Sequence, residues 1–315
     1  MTVEDGEVPG LTPDAPLAIR AYRPRPDGLL PLRGVIAYSH GLGGDRRSGA
    51  AWLSHWSSHG FLGVALTHRH ERPIDGSPLQ LRRALREALA AKALRTRVAE
   101  MHALIAALVA DLQTTPLETP VPIGVAGHSF GGVTVQALAG ERRIHDDLAP
   151  AEAAHPGAAA SGTPASAANA TNVFHAPVAN LGAALAFSPS ARANPLPLAE
   201  RFAGVAAPFM SLTGTQDAGL LRGDIDAANR CLPFEHMPAG GKYLFVAADG
   251  RHPDFAGEAV AAGTARSAPP FQPWLLALST AFWAAQLGND PAVRDALAAL
   301  AGDLPALAPH RFAAK

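Results

Sequence analysis

Two periods organise the apolar positions of this chain. Residues 17–24 (Leu-Ala-Ile-Arg-Ala-Tyr-Arg-Pro) alternate and read as an edge strand. Residues 34–39 (Gly-Val-Ile-Ala-Tyr-Ser) and 61–67 (Phe-Leu-Gly-Val-Ala-Leu-Thr) are continuous apolar runs, the pattern of strands buried on both faces. Between them a helix is predicted from Ser48 to His59, with Trp52 and Trp56 four apart on one face. Leu79 to Leu112 is a long helical stretch rich in Ala, Leu and Arg, and Pro116 and Pro120 end it. An apolar run, Val121 to Ala126, then leads through a glycine-rich turn into an Ala/Leu-rich helix, Val133 to Gly140. Further strands are predicted at 182–187, 208–213 and 243–248, a helix at about 272–287 and a weaker one at 291–300. Strands alternating with helices predict an α/β class: a mostly parallel central sheet with helices on both faces.

One segment breaks the pattern. Residues 149–170 hold eleven alanines, most of the rest being Pro, Gly, Ser and Thr, and no periodicity runs through them. A single domain of 1–315 is expected, with this alanine-rich stretch, at about 149–176, as an insertion or partial lid.

Composition narrows the function classes. Hydrophobic residues make up 48% and charged residues 17%, which suits a packed core and not a disordered chain. A formal charge of −1 leaves no basic field for nucleic acid or an anionic membrane. The one cysteine, Cys231, rules out an intrachain disulfide and reads as a small buried residue. The N-terminus is acidic and lacks an apolar h-region, so the expected location is cytoplasmic, or secreted or periplasmic if a leader has been removed. The best apolar run, Trp274 to Leu287, is too short to span a membrane, so no integral membrane segment is expected.

Candidate chemistry centres on Gly127-His128-Ser129-Phe130-Gly131-Gly132, which sits between the predicted strand and helix. This is a G-x-S-x-G turn, which presents a serine at the apex of a strand–turn–helix unit. A serine hydroxyl needs a neighbouring base, and the base needs a carboxylate to orient it. In this architecture both follow the serine, the acid first. Asp217 lies just past the strand at 208–213 and is the candidate acid; Asp224, Asp226 and Asp249 compete. His252 follows the strand at 243–248 and is the candidate base, in competition with His236 and His310. Two backbone N–H groups would stabilise an oxyanion: that of Phe130, and one from Ser39-His40-Gly41-Leu42-Gly43-Gly44, assigned to Leu42. His40 is read as bracing that loop. His68 and His70 sit two apart at a strand end with no third metal ligand, so they are placed at a pocket rim. His40, His68, His70 and His128 are the candidate substrate-contacting side chains, and no metal site is expected.

Together, Tyr38 to Gly44, Ser58-His59-Gly60-Phe61, Gly127 to Gly132, Leu212 to Asp217 and Asp249 to His252 resemble a known family. They are similar to the bacterial branch of the α/β-hydrolases described as platelet-activating-factor acetylhydrolase-like or dienelactone-hydrolase-like, over about residues 17–290. The resemblance implies an α/β-hydrolase fold and a serine carboxylesterase without metal or organic cofactor. It implies Ser129 as nucleophile, Asp217 and His252 as its partners, Leu42 and Phe130 as oxyanion donors, and a small-molecule or lipid-like ester as substrate. The chain departs from the animal acetylhydrolases, whose acid lies one strand earlier: here that strand end reads Ala186-Phe187-Ser188-Pro189. It departs from dienelactone hydrolases in holding serine where they hold cysteine. A thioesterase, amidase or lyase on the same three residues is an alternative, as is a ligand-binding protein on a hydrolase scaffold.

Overall fold

The structure, a computed structural model, describes residues 1–12, 14–25, 31–69, 77, 90–114, 120–145, 173–219, 225–258, 268–302 and 308–315. The first part of the helix expected from Leu79, the whole alanine-rich run 149–170, His70 and Asp224 lie outside these residues.

Strands β1 (Thr2–Val8), β2 (Leu17–Arg23) and β3 (Gly34–Ser39) come first, followed by helix α1 (Ala50–Ser58), β4 (Phe61–Leu66) and α2 (Ala91–Thr114). β5 (Ile123–His128) runs into α3 (Phe130–Leu138), and a small ladder pairs β6 (Arg143–Ile144) with β7 (Val173–Phe174). β8 (Ala183–Phe187), α4 (Leu198–Phe202), β9 (Phe209–Gln216), α5 (Ala227–His236) and β10 (Lys242–Arg251) follow. A 3-10 turn (His252–Phe255), α6 (Gln272–Gln286), α7 (Pro291–Gly302) and β11 (Arg311–Ala314) complete the described elements.

Among the described residues nine strands make one sheet in the order β1-β2-β4-β3-β5-β8-β9-β10-β11. From β4 to β10 every pairing is parallel, while β1, β2 and β11 join antiparallel. Residues 17–24 are therefore not an edge strand: β1 pairs along the whole of β2 and takes the edge.

The continuous apolar runs follow from burial on both faces. Val35 and Ala37 turn toward Val98, Met101 and Leu104 of α2, while Ile36 and Tyr38 turn toward Trp52 and Trp56 of α1 and Trp283 of α6. Each face thus has its own apolar layer, and neither can be exposed without losing burial worth roughly 1.5–3 kcal/mol per large side chain. Because β3, β5, β8, β9 and β10 run parallel, their C-terminal ends open on one edge. The segments leaving those ends carry Gly41–Gly44, Ser129, Asp217 and His252.

Candidate active site

Ser129 stands between β5 and α3 with φ 56° and ψ −115°, a positive φ that a residue with a Cβ adopts only under constraint. Its N–H donates to the Phe187 carbonyl at 3.0 Å, which ties the turn to the next strand. Close approach explains the two flanking glycines. A Cβ on Gly131 would lie 1.9 Å from the Ser39 carbonyl oxygen, and one on Gly127 would lie 2.6 Å from the Gly131 backbone. Any side chain there would push the first turn of α3 off β3 and β5.

A continuous chain of hydrogen bonds leads away from Ser129. Its Oγ is 2.8 Å from His252 Nε2, and His252 Nδ1 is 2.7 Å from Asp217 Oδ1. Thr213, from inside β9, donates its hydroxyl to the other carboxylate oxygen at 2.8 Å. Asp217 is fully buried, and burial alone would raise its carboxyl. The hydrogen bond from His252 and the charge of Arg230 outweigh that and hold it below the ordinary carboxylate value. An ionised Asp217 keeps the imidazole proton on Nδ1 and leaves Nε2 as an acceptor toward Ser129.

Arg230, a buried residue of α5, supports this arrangement from behind. Its Nη1 donates to the Ser188 carbonyl at 2.8 Å, and its Nε donates to the Asp217 carbonyl at 3.2 Å. The same Nε is 3.2 Å from Asp217 Oδ1, and Nη2 is 3.1 Å from His252 Nδ1. Sequence reading passes over Arg230; its signal is an arginine on the buried face of α5, in step with Cys231 and Phe234.

Gly41 lies against the serine turn, where an added Cβ would sit 3.5 Å from Ser129 Cβ and 3.1 Å from His128 Nδ1. Leu42 follows it, and Phe130 opens α3 with a helix-N-terminal N–H. Among the described residues neither the Leu42 nor the Phe130 N–H has a hydrogen-bond partner.

Of the four histidines proposed as substrate contacts, His40, His68 and His128 lie within the described residues, and each is buried against the surroundings of Ser129 and His252. His40 is fully buried, accepting the His68 N–H at Nε2 (3.1 Å) and donating from Nδ1 to the Gly41 carbonyl (2.7 Å). His68 is also buried, not at a rim: its ring bridges Ser39 Oγ at 2.9 Å and Glu100 Oε2 at 2.7 Å. His128 packs on the His252 ring at 4.8 Å and donates from Nε2 to the His252 carbonyl at 3.2 Å. All three are kept neutral, chiefly by burial: His40 and His128 are pushed down to about 3, and His68 lies well below its usual value. Their ring nitrogens are taken up by the Gly41 carbonyl, by Ser39 and Glu100, and by the His252 carbonyl; for His40 that matches the bracing expected of it, and for His68 and His128 it replaces the expected substrate contact.

The competing candidates have other work. Asp226 caps α5, accepting the Asn229 N–H at 2.7 Å, and Asp249 accepts from Gln216 Nε2 at 2.9 Å. His310 accepts the Ala248 N–H at 3.0 Å, and His236 ends α5. The Cys231 thiol is buried, and burial pushes it up, away from a reactive thiolate. Among the described residues no three His, Cys, Asp or Glu side chains cluster in a way that could hold a metal ion, and no helix is long and apolar enough to cross a membrane.

Comparison by sequence finds no matching family model and no matching curated protein. Comparison by structure finds TT1662 from Thermus thermophilus, with a TM-score of 0.54 and 18% identity over 91% of this chain and 99% of that one. It also finds XC6422 from Xanthomonas campestris, described as a member of the α/β serine hydrolases without lid, with a TM-score of 0.48 and 14% identity over 80% of this chain and 86% of that one. With its mostly parallel sheet, helices on both faces and a serine on the strand–helix turn, the chain has the α/β-hydrolase fold.

Proposed function

We propose that the protein is a serine hydrolase that cleaves carboxylic esters through an acyl-enzyme. The observation that carries this reading is the unbroken chain Ser129 Oγ–His252 Nε2 and His252 Nδ1–Asp217 Oδ1, at 2.8 and 2.7 Å, on a strained turn. As Ser129 Oγ attacks the ester carbonyl carbon, its proton moves to His252 Nε2. Asp217 fixes the tautomer that can take that proton and stabilises the imidazolium that results. The carbonyl oxygen becomes an oxyanion, met by the Leu42 and Phe130 N–H groups. Collapse of the tetrahedral intermediate breaks the bond to the alcohol oxygen, which takes the proton from His252. Water then attacks the acyl-enzyme with His252 again as base, releasing the acid and restoring Ser129. None of these steps calls for a metal or an organic cofactor.

The reading extends to the whole chain as one hydrolase domain acting on a small-molecule or lipid-like ester. Its test is a series of p-nitrophenyl esters of increasing acyl length, run on the wild type and on Ser129→Ala. The expected result is turnover that varies with chain length and falls by at least about 10³-fold in the variant, as loss of a covalent nucleophile demands. Equal rates for the two proteins would rule the mechanism out.

A further inference from the structure

An arginine occupies the core stripe of α2. The buried positions of that helix run Leu94, Arg97, Val98, Glu100, Met101, Leu104, Ile105 and Leu108. Arg97 is 2% exposed, and a buried guanidinium is strongly unfavourable unless its donors are engaged. Its Nη1 donates to the His40 carbonyl at 2.6 Å and lies 3.4 Å from Ser39 Oγ; its Nη2 is 3.4 Å from the Gly41 carbonyl. Its Cζ lies 4.4 Å from the centre of the Phe130 ring.

These partners belong to both proposed oxyanion donors. The Gly41 carbonyl and the Leu42 N–H form one trans peptide plane and point in opposite directions, so whatever fixes the oxygen aims the N–H. Three donors converge on that oxygen: His40 Nδ1 at 2.7 Å, the Gly44 N–H at 3.1 Å and Arg97 Nη2 at 3.4 Å. His40 can donate there because its other nitrogen accepts the His68 N–H. The second donor, the Phe130 N–H, belongs to the residue whose ring lies under the guanidinium. Glu100, one turn further along α2, grips the neighbouring His68.

We infer that Arg97 is a positioning residue for the oxyanion hole, setting the 41–42 peptide and Phe130 so that both N–H groups converge on the carbonyl oxygen as it becomes negative. The inference rests on the reading of Ser129 as nucleophile. Arg97 lies beneath the loop and acts only through it. A lysine has no planar fork and cannot hold the His40 and Gly41 carbonyls while lying over the ring. Hydrogen bonds that matter only once the oxyanion forms change kcat and leave KM nearly unmoved.

The test uses the wild type, Ser129→Ala, Arg97→Lys and Arg97→Met, each checked for native circular dichroism. Three readouts are compared: steady-state hydrolysis of one p-nitrophenyl ester, the affinity of an alkylboronic acid that forms a tetrahedral adduct on serine, and fluorophosphonate labelling of Ser129. Arg97→Met is expected to lose about 10²-fold in kcat, the effect of one missing oxyanion donor, with KM within about threefold. Boronate affinity should fall in step with kcat. Arg97→Lys should lose at least about tenfold in kcat and in boronate affinity, and it decides alone if Arg97→Met does not fold. A folded variant with kcat within about threefold of wild type overturns the inference, as does a loss confined to KM with boronate affinity unchanged. A wild type that turns over no ester and is not labelled at Ser129 overturns the functional reading, and the role of Arg97 with it. An active wild type beside unaffected Arg97 variants overturns only the role of Arg97.

Discussion

Arg230 Nη2 lies 3.1 Å from His252 Nδ1, the same nitrogen that stands 2.7 Å from Asp217 Oδ1. Both contacts cannot be donor bonds at once. While Asp217 is ionised, Nδ1 keeps its proton and donates it in a hydrogen bond to the carboxylate. Without that charge Arg230 can donate to a bare Nδ1, which moves the imidazole proton to Nε2 and points it at Ser129. Asp217→Asn is therefore expected to lose about 10⁴-fold in kcat, the scale of a wrong-tautomer histidine. Adding Arg230→Met removes the competing donor and should restore at least part of that loss. Steady-state kinetics on the single and double variants check this; a double variant no faster than Asp217→Asn would show that Arg230 has no hold on the tautomer.

The glycine after the serine is set by contact, not by flexibility. A Cβ on Gly131 would meet the Ser39 carbonyl oxygen at 1.9 Å, whereas one on Gly132 would come no closer than 3.1 Å to the Phe187 carbonyl oxygen. Gly131→Ala should lower stability by more than the ~1–3 kcal/mol of ordinary overpacking and abolish ester turnover. Gly132→Ala should be much milder. Urea midpoints of the two variants give the comparison, and equal midpoints would contradict it.

The 3-10 turn carrying His252 is tied to α1 through Trp52. Its Nε1 donates to the Phe255 carbonyl at 3.2 Å, and its ring stacks on Phe187 at 4.9 Å. Trp52→Phe should cost about 1 kcal/mol for the lost hydrogen bond. Trp52→Ala should cost about 3–5 kcal/mol and slow turnover as the turn loosens. Thermal melts and kcat measured side by side test the coupling of packing to activity.

Elements of this fold are visible in the sequence where burial imposes a period. β3 up to Tyr38, β4 and β8 are continuous apolar runs because both faces are covered, so they are visible. β1 is missed because six of its seven residues are exposed and its sequence, Thr-Val-Glu-Asp-Gly-Glu-Val, shows no buried face. It is held by the backbone ladder to β2 and by Arg20–Asp5 and Arg23–Glu4 pairs. β11 is too short to show a pattern, with only Phe312 buried in the core. Ser129 is legible from its glycines, and Asp217 and His252 from their places after β9 and β10. Arg97 and Arg230 are not, because what they hold comes from distant parts of the chain. The trace each leaves is a charge where its helix should be apolar.

Buried neutral histidines give the fold a pH signature. His40 and His128 are pushed down to about 3, against about 6.5 for an unfolded histidine. Between those values the unfolded chain binds protons that the folded chain refuses, so stability is full above pH 6.5 and falls as the pH drops. Each group removes about 1.4 kcal/mol per pH unit, so the pair removes about 4 kcal/mol by pH 5. Asp217, with its lowered carboxyl, adds a further loss only below the unfolded carboxylate value near 4. The urea midpoint should therefore fall between pH 7.5 and 5. In His128→Gln, which keeps a donor for the His252 carbonyl, that slope should be shallower by one group. A midpoint independent of pH over this range would contradict the burial of neutral imidazoles.

The proposed role of Ser129 Oγ as an activated nucleophile is open to covalent capture. A fluorophosphonate carries a phosphorus that such an oxygen attacks, with fluoride leaving and a stable phosphonyl-serine remaining. Intact-mass and peptide analysis of the labelled protein should show one adduct per chain, on the peptide containing Ser129, with ester hydrolysis lost in step. Ser129→Ala should take up no label, and His252→Ala should label far more slowly. A wild type left unlabelled at Ser129, or a Ser129→Ala protein hydrolysing ester at the wild-type rate, would contradict the account.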